Sequence, residues 1–467
     1  MTPHMLRKIV GLGLSVAALA VAAGCHILDV SNPDIILPGN LNSAAALPTV
    51  RSGVIGDFAF AYSGSGAQGS GGTTEGQILI SGMLGDELIN TETFPDRVFA
   101  DARRSQIESG TLGTIFRNLH RARRSAEIAA GRFRQYSDTT TNSGLSEMLS
   151  LAGFTYVFFA ENYCSGVPFS QVKVDGSFQY GGPLTTVQML DTALNRFQQA
   201  LAAANVLPAG ATQTSMLSLA SIGIGRVLLD QGKFGLADTA VSVSFLVPTS
   251  FNYTVQHDLN TTRQQNGVYS GIRKFKRYGV ADAEGVVGIP WRSQPDPRTP
   301  FFRSPGTNFG FDGFTPQYDQ LRYLDEKAFV TVATGTEARL MTAEAQLQRN
   351  DITGMTATLN ALRATPPTYF LANGVALAPM AALPTPASKP AAVTLLFSER
   401  AHWLWLTSHR LGDLRRLERQ YLLPDNQVFP TGAYFKNGLS YGTDVNLPVP
   451  FDEENNPTFS ACLDRLP

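Results

Sequence analysis

Residues 214–248, TSMLSLASIGIGRVLLDQGKFGLADTAVSVSFLVP, decide how this chain folds. Leu217, Ala220, Ile224, Val227 and Leu228 fall at i, i+3, i+7, i+10 and i+11, which lines one face of a helix. Gly232-Lys233 reads as a turn, and a second helix through Ala237 and Val241 stops at Pro248. Residues 336–365 repeat the plan, with a turn at Asn350-Asp351 and a stop at Pro366. In both copies the proline stands 16 residues beyond the turn residue, Gly232 to Pro248 and Asn350 to Pro366. Length and turn placement make these tetratricopeptide-like helical hairpins. Their turns lie 118 residues apart, so the chain is no tandem array of repeats of about 34 residues.

Outward from these hairpins, helical periodicity predicts further helices at about 112–131, 145–163, 186–204 and 392–410, about eight in all, which suits four hairpins. Alternating strand patterns are scarce. The expected fold is all-α, a superhelical bundle of tetratricopeptide-like hairpins, interrupted by a loop-rich and aromatic-rich insert at about 248–334. Residues 63–74, rich in Gly and Ser, and 372–390, rich in Ala and Pro, read as surface excursions.

At the start, Arg7 and Lys8 precede an apolar run, Ile9 to Ala23, that ends in Ala23-Gly24-Cys25. A charged segment, an apolar segment and small residues before a cleavage point make a signal peptide. About 15 apolar residues reach only about 22 Å as a helix, short of the roughly 30 Å hydrocarbon core. A cysteine directly after Ala-Gly resembles the bacterial lipobox, with Ala22 where Leu is usual; the resemblance implies that Cys25 is lipidated. The expected organisation is a signal peptide at 1–24, a lipidated tether at 25–42 and a single helical domain at 43–467.

Over 467 residues, 37 Lys+Arg balance 38 Asp+Glu, and 43% of residues are hydrophobic against 16% charged. That composition supports a large core and excludes a disordered chain. A net charge of −1 offers no basic stripe for a phosphate backbone, so nucleic acid is not an expected partner. Six histidines include no His-Glu-x-x-His motif, and His402 and His409 stand too far apart to share a metal without a third element. The Gly64-Ser65-Gly66-Ala67-Gln68-Gly69 segment satisfies G-x-G-x-x-G, but no helix-forming run follows to hold a pyrophosphate, and a flexible loop is expected. No metal or cofactor is predicted. Three cysteines exclude a disulfide-dense scaffold; Cys164 and Cys462 read as two separately buried thiols, with a disulfide between them as the alternative.

The segment Ser398-Glu399-Arg400, followed after nine residues by Arg410-Leu411-Gly412-Asp413-Leu414-Arg415-Arg416, resembles a pattern of the SusD/RagB family of surface nutrient-binding lipoproteins. Residues 336–345 with 359–363, Gly166-Val167-Pro168, Asp296-Pro297-Arg298, and Asn446-Leu447-Pro448-Val449-Pro450 with Asn456-Pro457 resemble other family segments in the same order. Trp403 and Thr407 stand where the family commonly has Glu. Glu399, Arg400, Arg410, Asp413 and Arg416 are structural in this resemblance, with Arg410 and Asp413 spaced i, i+3 to pair where a helix ends.

The resemblance implies a non-catalytic, outward-facing outer-membrane lipoprotein that captures an oligosaccharide or peptide-like nutrient. Its implied partner is a SusC-like TonB-dependent transporter. Two alternatives are an exported glycan hydrolase using paired carboxylates, such as Asp86 with Glu87, and a purely structural scaffold lipoprotein. The expected ligand surface is Trp291, Phe309, Phe311, Tyr318 and Tyr323, with the loop from Asp86 to Phe94 as a second wall. Aromatic faces mixed with Asn308, Asp312, Gln317 and Asp319, where helical periodicity is absent, suit stacking on a sugar with hydrogen bonds to its hydroxyls.

Overall fold

The computed structural model describes residues 41–68, 73–173, 177–303 and 308–467. Residues 1–24, Cys25 and the tether up to residue 40 lie outside them. The body is built from helices, with only short two-stranded ladders between them, so the all-α class holds. In chain order the helices are α1 Leu47–Ser63, α2 Gln77–Leu84, α3 Pro95–Asp101, α4 Gly110–Tyr136, α5 Gly144–Asn162, α6 Thr186–Asn205, α7 Ala211–Asp230, α8 Phe234–Asp238, α9 Gly335–Gln348, α10 Ile352–Ala364, α11 Lys389–Trp403 and α12 Arg410–Tyr421.

Local chemistry explains where they start. The Ser109 hydroxyl accepts from Leu112 N at the head of α4, and Thr185 with Gln188 closes a capping box on α6. Along α4, Leu112, Phe116, Leu119, Ala122, Ala126, Ala129 and Phe133 form a buried stripe, while the other face carries arginines. Helix α5 is buried on every side, because α4, α6 and α7 all pack on it. The Phe197 ring wedges between α5 and α7 where Gly153 and Gly223 leave room; a Cβ there would lie 2.7 and 2.1 Å from the ring.

Both sequence-derived hairpins form. Helix α7 turns at Gly232 (φ 71°) into α8, and α9 turns at Asn350 (φ 64°) into α10. The second arm of the first hairpin is shorter than its apolar spacing suggests, since α8 passes into a π-turn at Thr239–Val243.

Four expectations change. The predicted helix at 392–410 is two helices, because Leu406 (φ 54°) and Ser408 (φ 58°) take left-handed backbone and turn the chain between α11 and α12. Residues 63–67 and 73–74 are packed inside rather than excursing: Gly66 N donates to Thr262 O at 2.8 Å and the Ser65 hydroxyl donates to Thr73 O at 2.7 Å. Cys164 and Cys462 are a disulfide, not separate thiols, since the tail bridges Ser165 to Asp464 and brings the two Cα atoms to 5.9 Å. Arg410 and Asp413 do not pair with each other. Arg410 reaches back to Asp86 at 3.0 Å, while Asp413 accepts from Arg400 at 2.8 Å and from Arg416 at 2.7 Å.

The five motif residues therefore sit in a buried ionic layer. Arg416 also pairs with Glu344 of α9, and Glu399 takes Arg298 at 2.6 Å and Arg363 at 2.8 Å. Trp403 donates to the same Glu399 at 3.2 Å. Burial raises the Asp413 carboxyl, but Arg400 and Arg416 outweigh it and hold it far below the usual carboxylate range.

Candidate functional site

Leu88–Asn90 pairs antiparallel with Tyr278–Val280 in the register Leu88↔Val280, and this short ladder draws two distant loops together. Beyond it Thr91 N donates to Arg277 O at 2.8 Å, Asp312 N to Thr91 O at 3.0 Å and Phe311 N to Lys276 O at 2.7 Å. Gly310 permits the approach, because a Cβ there would lie 2.3 Å from the Thr91 Cβ. Phe94 and Phe311 consequently stack, centroids 6.2 Å apart, with 45% and 55% of each residue exposed.

Two guanidiniums support the rings. Arg97 stands 5.1 Å from the Phe94 centroid, and Arg277 stands 5.6 and 5.8 Å from Phe94 and Phe311. Both also line an adjoining polar cleft of about 370 Å³, with Gln68, Thr73, Glu75 and Thr114. Arg97 is held by Glu92 at 2.8 Å and Glu75 at 3.0 Å; Arg277 donates to Gln68 at 3.0 Å. Burial raises the Glu92 carboxyl while Arg97 draws it down. Lys436 pins the underside by donating to the carbonyls of Asn90 and Glu92, each at 2.8 Å. A flat apolar platform beside fixed hydrogen-bonding groups is what a shallow binding site requires.

Among the residues predicted for this surface, Phe311 belongs to the platform and Phe309 lies two residues away, 36% exposed and bridged to Pro316. Tyr318 is half-buried between Arg292 at 3.8 Å and Arg303 at 5.2 Å. Three others belong elsewhere. Trp291 is fully buried: its indole donates to Asp86 O at 2.7 Å and its ring packs on His402 and Trp405, so it is core. Asp86 is buried against Arg410, which makes it a structural ion-pair partner and not a wall of the site. Tyr323 is enclosed, donating to Leu406 O at 3.0 Å, and faces a different cavity. Gln317 is likewise internal, donating to the carbonyls of Ile272 and Tyr278. Sequence reasoning missed Arg97, Arg277, Gln68 and Glu75, whose common cleft depends on the pairing of residues 88–90 with 278–280 and carries no local signal.

Asp86 and Glu87 form no catalytic pair: both are buried, and burial pushes the Glu87 carboxyl up to about 8 against the opposing Leu406 N–H and Arg410. Among the described residues no cluster of three His, Cys, Asp or Glu is placed to hold a metal, and no helix is long and apolar enough to cross a membrane.

No protein-family model and no curated protein matches the sequence. Solved structures do match. A SusD superfamily protein from Bacteroides vulgatus ATCC 8482 superposes with a TM-score of 0.60 at 14% identity, over 90% of this chain and 99% of the other. The chain adopts the SusD/RagB fold. A SusD/RagB family protein from Bacteroides thetaiotaomicron VPI-5482 gives 0.60 at 12% identity, covering 88% and 94%. A SusD-like carbohydrate-binding protein from Bacteroides fragilis NCTC 9343 gives 0.59 at 13% identity, covering 90% and 99%. The loops that carry Phe94 and Phe311 are outside the hairpins, so the site rests on a helical scaffold without belonging to it.

Proposed function

We propose that this SusD-like protein is a non-catalytic surface lipoprotein that binds an extracellular oligosaccharide, with the Phe94–Phe311 platform as its stacking surface, and delivers it to a TonB-dependent transporter. The observation that carries the binding role is the exposed ring pair beside a cleft of fixed polar groups. Sugar rings have apolar faces that suit such rings, and Arg97, Arg277, Gln68 and Glu75 supply donors and acceptors at their edge. A likeness in fold to a carbohydrate-binding protein is consistent with it. Lipidation at Cys25, outer-membrane location and the transporter partnership rest on the segment at 7–25 and on the family resemblance.

Titration of the purified protein with a panel of oligosaccharides tests the binding role, and assaying the same mixtures for new reducing ends tests the absence of catalysis. Saturable binding with the glycan intact is expected; hydrolysis of a bound glycan would replace this reading with that of an enzyme. For the anchor, Cys25→Ser is expected to leave the membrane fraction or retain its signal peptide. A variant still lipidated and membrane-bound would remove Cys25 from that role.

A further inference from the structure

A separate cavity of about 340 Å³ lies between loop 322–329 and the hairpin of Leu371–Ala372 and Val375–Ala376, and it shares no lining residue with the cleft beside Phe94. Its volume falls at the small end of ligand pockets. Tyr323 and Phe370 form buried walls, and Phe329 stands at the mouth, 45% exposed. Into this aromatic enclosure projects Arg322, its guanidinium carbon 5.1 Å from the Phe370 centroid and 5.9 Å from that of Tyr323. The Arg322 Nη1 atom is buried and has no hydrogen-bond partner among the described residues. Nor does any carboxylate among them form an ion pair with it. That sets it apart from Arg298, Arg400, Arg410 and Arg416, each of which meets a carboxylate. Arg322 is half-buried and lacks an ion-pair partner among the described residues, and an anion brought to such a guanidinium gains a charge-assisted bond.

We propose that this cavity binds a small aromatic carboxylate, with its carboxylate on the Arg322 guanidinium and its ring against Tyr323, Phe329 and Phe370. A monoanion fits better than a phosphate dianion. Arg322 is the single inner cation; Lys327 is exposed at the rim, and the Asp325 carboxylate, which also lines the cavity, opposes a second negative charge. A second negative charge would enter an apolar wall unpaired.

The test titrates the whole protein calorimetrically with phenylpropionate, its neutral counterpart phenylpropanol, and phenyl phosphate. Saturable binding of phenylpropionate is expected, with phenylpropanol at least about tenfold weaker, as befits loss of a charge-assisted bond. Arg322→Met should remove that preference, and Phe329→Ala at the exposed mouth should weaken the acid while Phe311→Ala leaves it unchanged. Equal binding of acid and alcohol, an unaltered affinity in a folded Arg322→Met protein, or no saturable binding of the acid would each overturn the proposal. Tighter binding of phenyl phosphate would overturn the choice of a carboxylate. The acid–alcohol comparison needs no variant, so it decides the matter even if Arg322→Met fails to fold.

Discussion

Two regions of this molecule are rich in arginine and aromatic rings, and they use them in opposite ways. In the layer where α9, α11 and α12 meet, Arg400, Arg416 and Arg298 are buried and closed by Asp413, Glu344 and Glu399. At the Phe94–Phe311 platform, Arg97 and Arg277 lie against half-exposed rings, and their carboxylate partners line or adjoin an open cleft. Residue type does not separate the two; the exposure of the rings does. Where charges are buried with partners, removing one partner strands the other, and the effect appears in stability. Where rings are exposed, their loss leaves the core intact and appears in recognition.

The comparison breaks most sharply at Asp413. Asp413→Ala leaves Arg400 and Arg416 buried without their shared carboxylate, and a cost of about 3–5 kcal/mol is expected in urea unfolding. A loss below about 1 kcal/mol would mean that Glu344 alone can hold both cations. Next, Cys462→Ser opens a bond across a sequence separation of 298 and should cost about 2–4 kcal/mol, mainly by freeing the unfolded chain. Denaturant midpoints under oxidising and reducing conditions check it, since reduction should bring the wild type down to the variant.

A gentler probe is pH. Glu87 titrates at about 8 in the fold, above the 4.5 expected in the unfolded chain, so folding takes up a proton between those values. The contribution is complete below about pH 4.5 and is lost as pH rises through about 8, with a slope of at most about 1.4 kcal/mol per pH unit. Glu87→Gln, which keeps an acceptor for Leu406 N, should flatten the stability profile between about pH 5 and 8. An unchanged slope would assign that dependence to other groups. Smallest is Phe311→Ala: oligosaccharide affinity should fall about threefold to tenfold, by analogy with aromatic pairs, while the melting temperature stays put. Early melting with unchanged affinity would turn the platform into core and erase the contrast.

The hairpins were legible because a 3.6-residue period is written locally: Leu217, Ala220, Ile224 and Val227 announce their face before anything packs on it. Phe311 was legible as an aromatic in aperiodic surroundings, and so was Trp291 only 20 residues away, yet one is exposed and the other fully buried. What divides them is the Asp86 carbonyl that receives the indole, a contact across a separation of 205 residues. Arg410 misled for the same reason. Its i, i+3 neighbour was visible, whereas its partner Asp86 lies 324 residues away. Pairing over such distances is set by how helices dock, which no window of sequence contains.

The Cys164–Cys462 bond also has a mechanical side. It makes a closed ring of the chain between those residues, and Arg415 reinforces the closure by donating to the carbonyls of Ala160, Glu161, Tyr163 and Leu466. Tension applied at positions outside the ring is carried across the sulfurs and never reaches the helices within. At about 3.5 Å per residue, a separation of 298 corresponds to about 1,000 Å of contour that cannot be drawn out while the bond is intact. Tugged from outside the ring, such a molecule would surrender α1–α5 and its tail and keep α6–α12 enclosed.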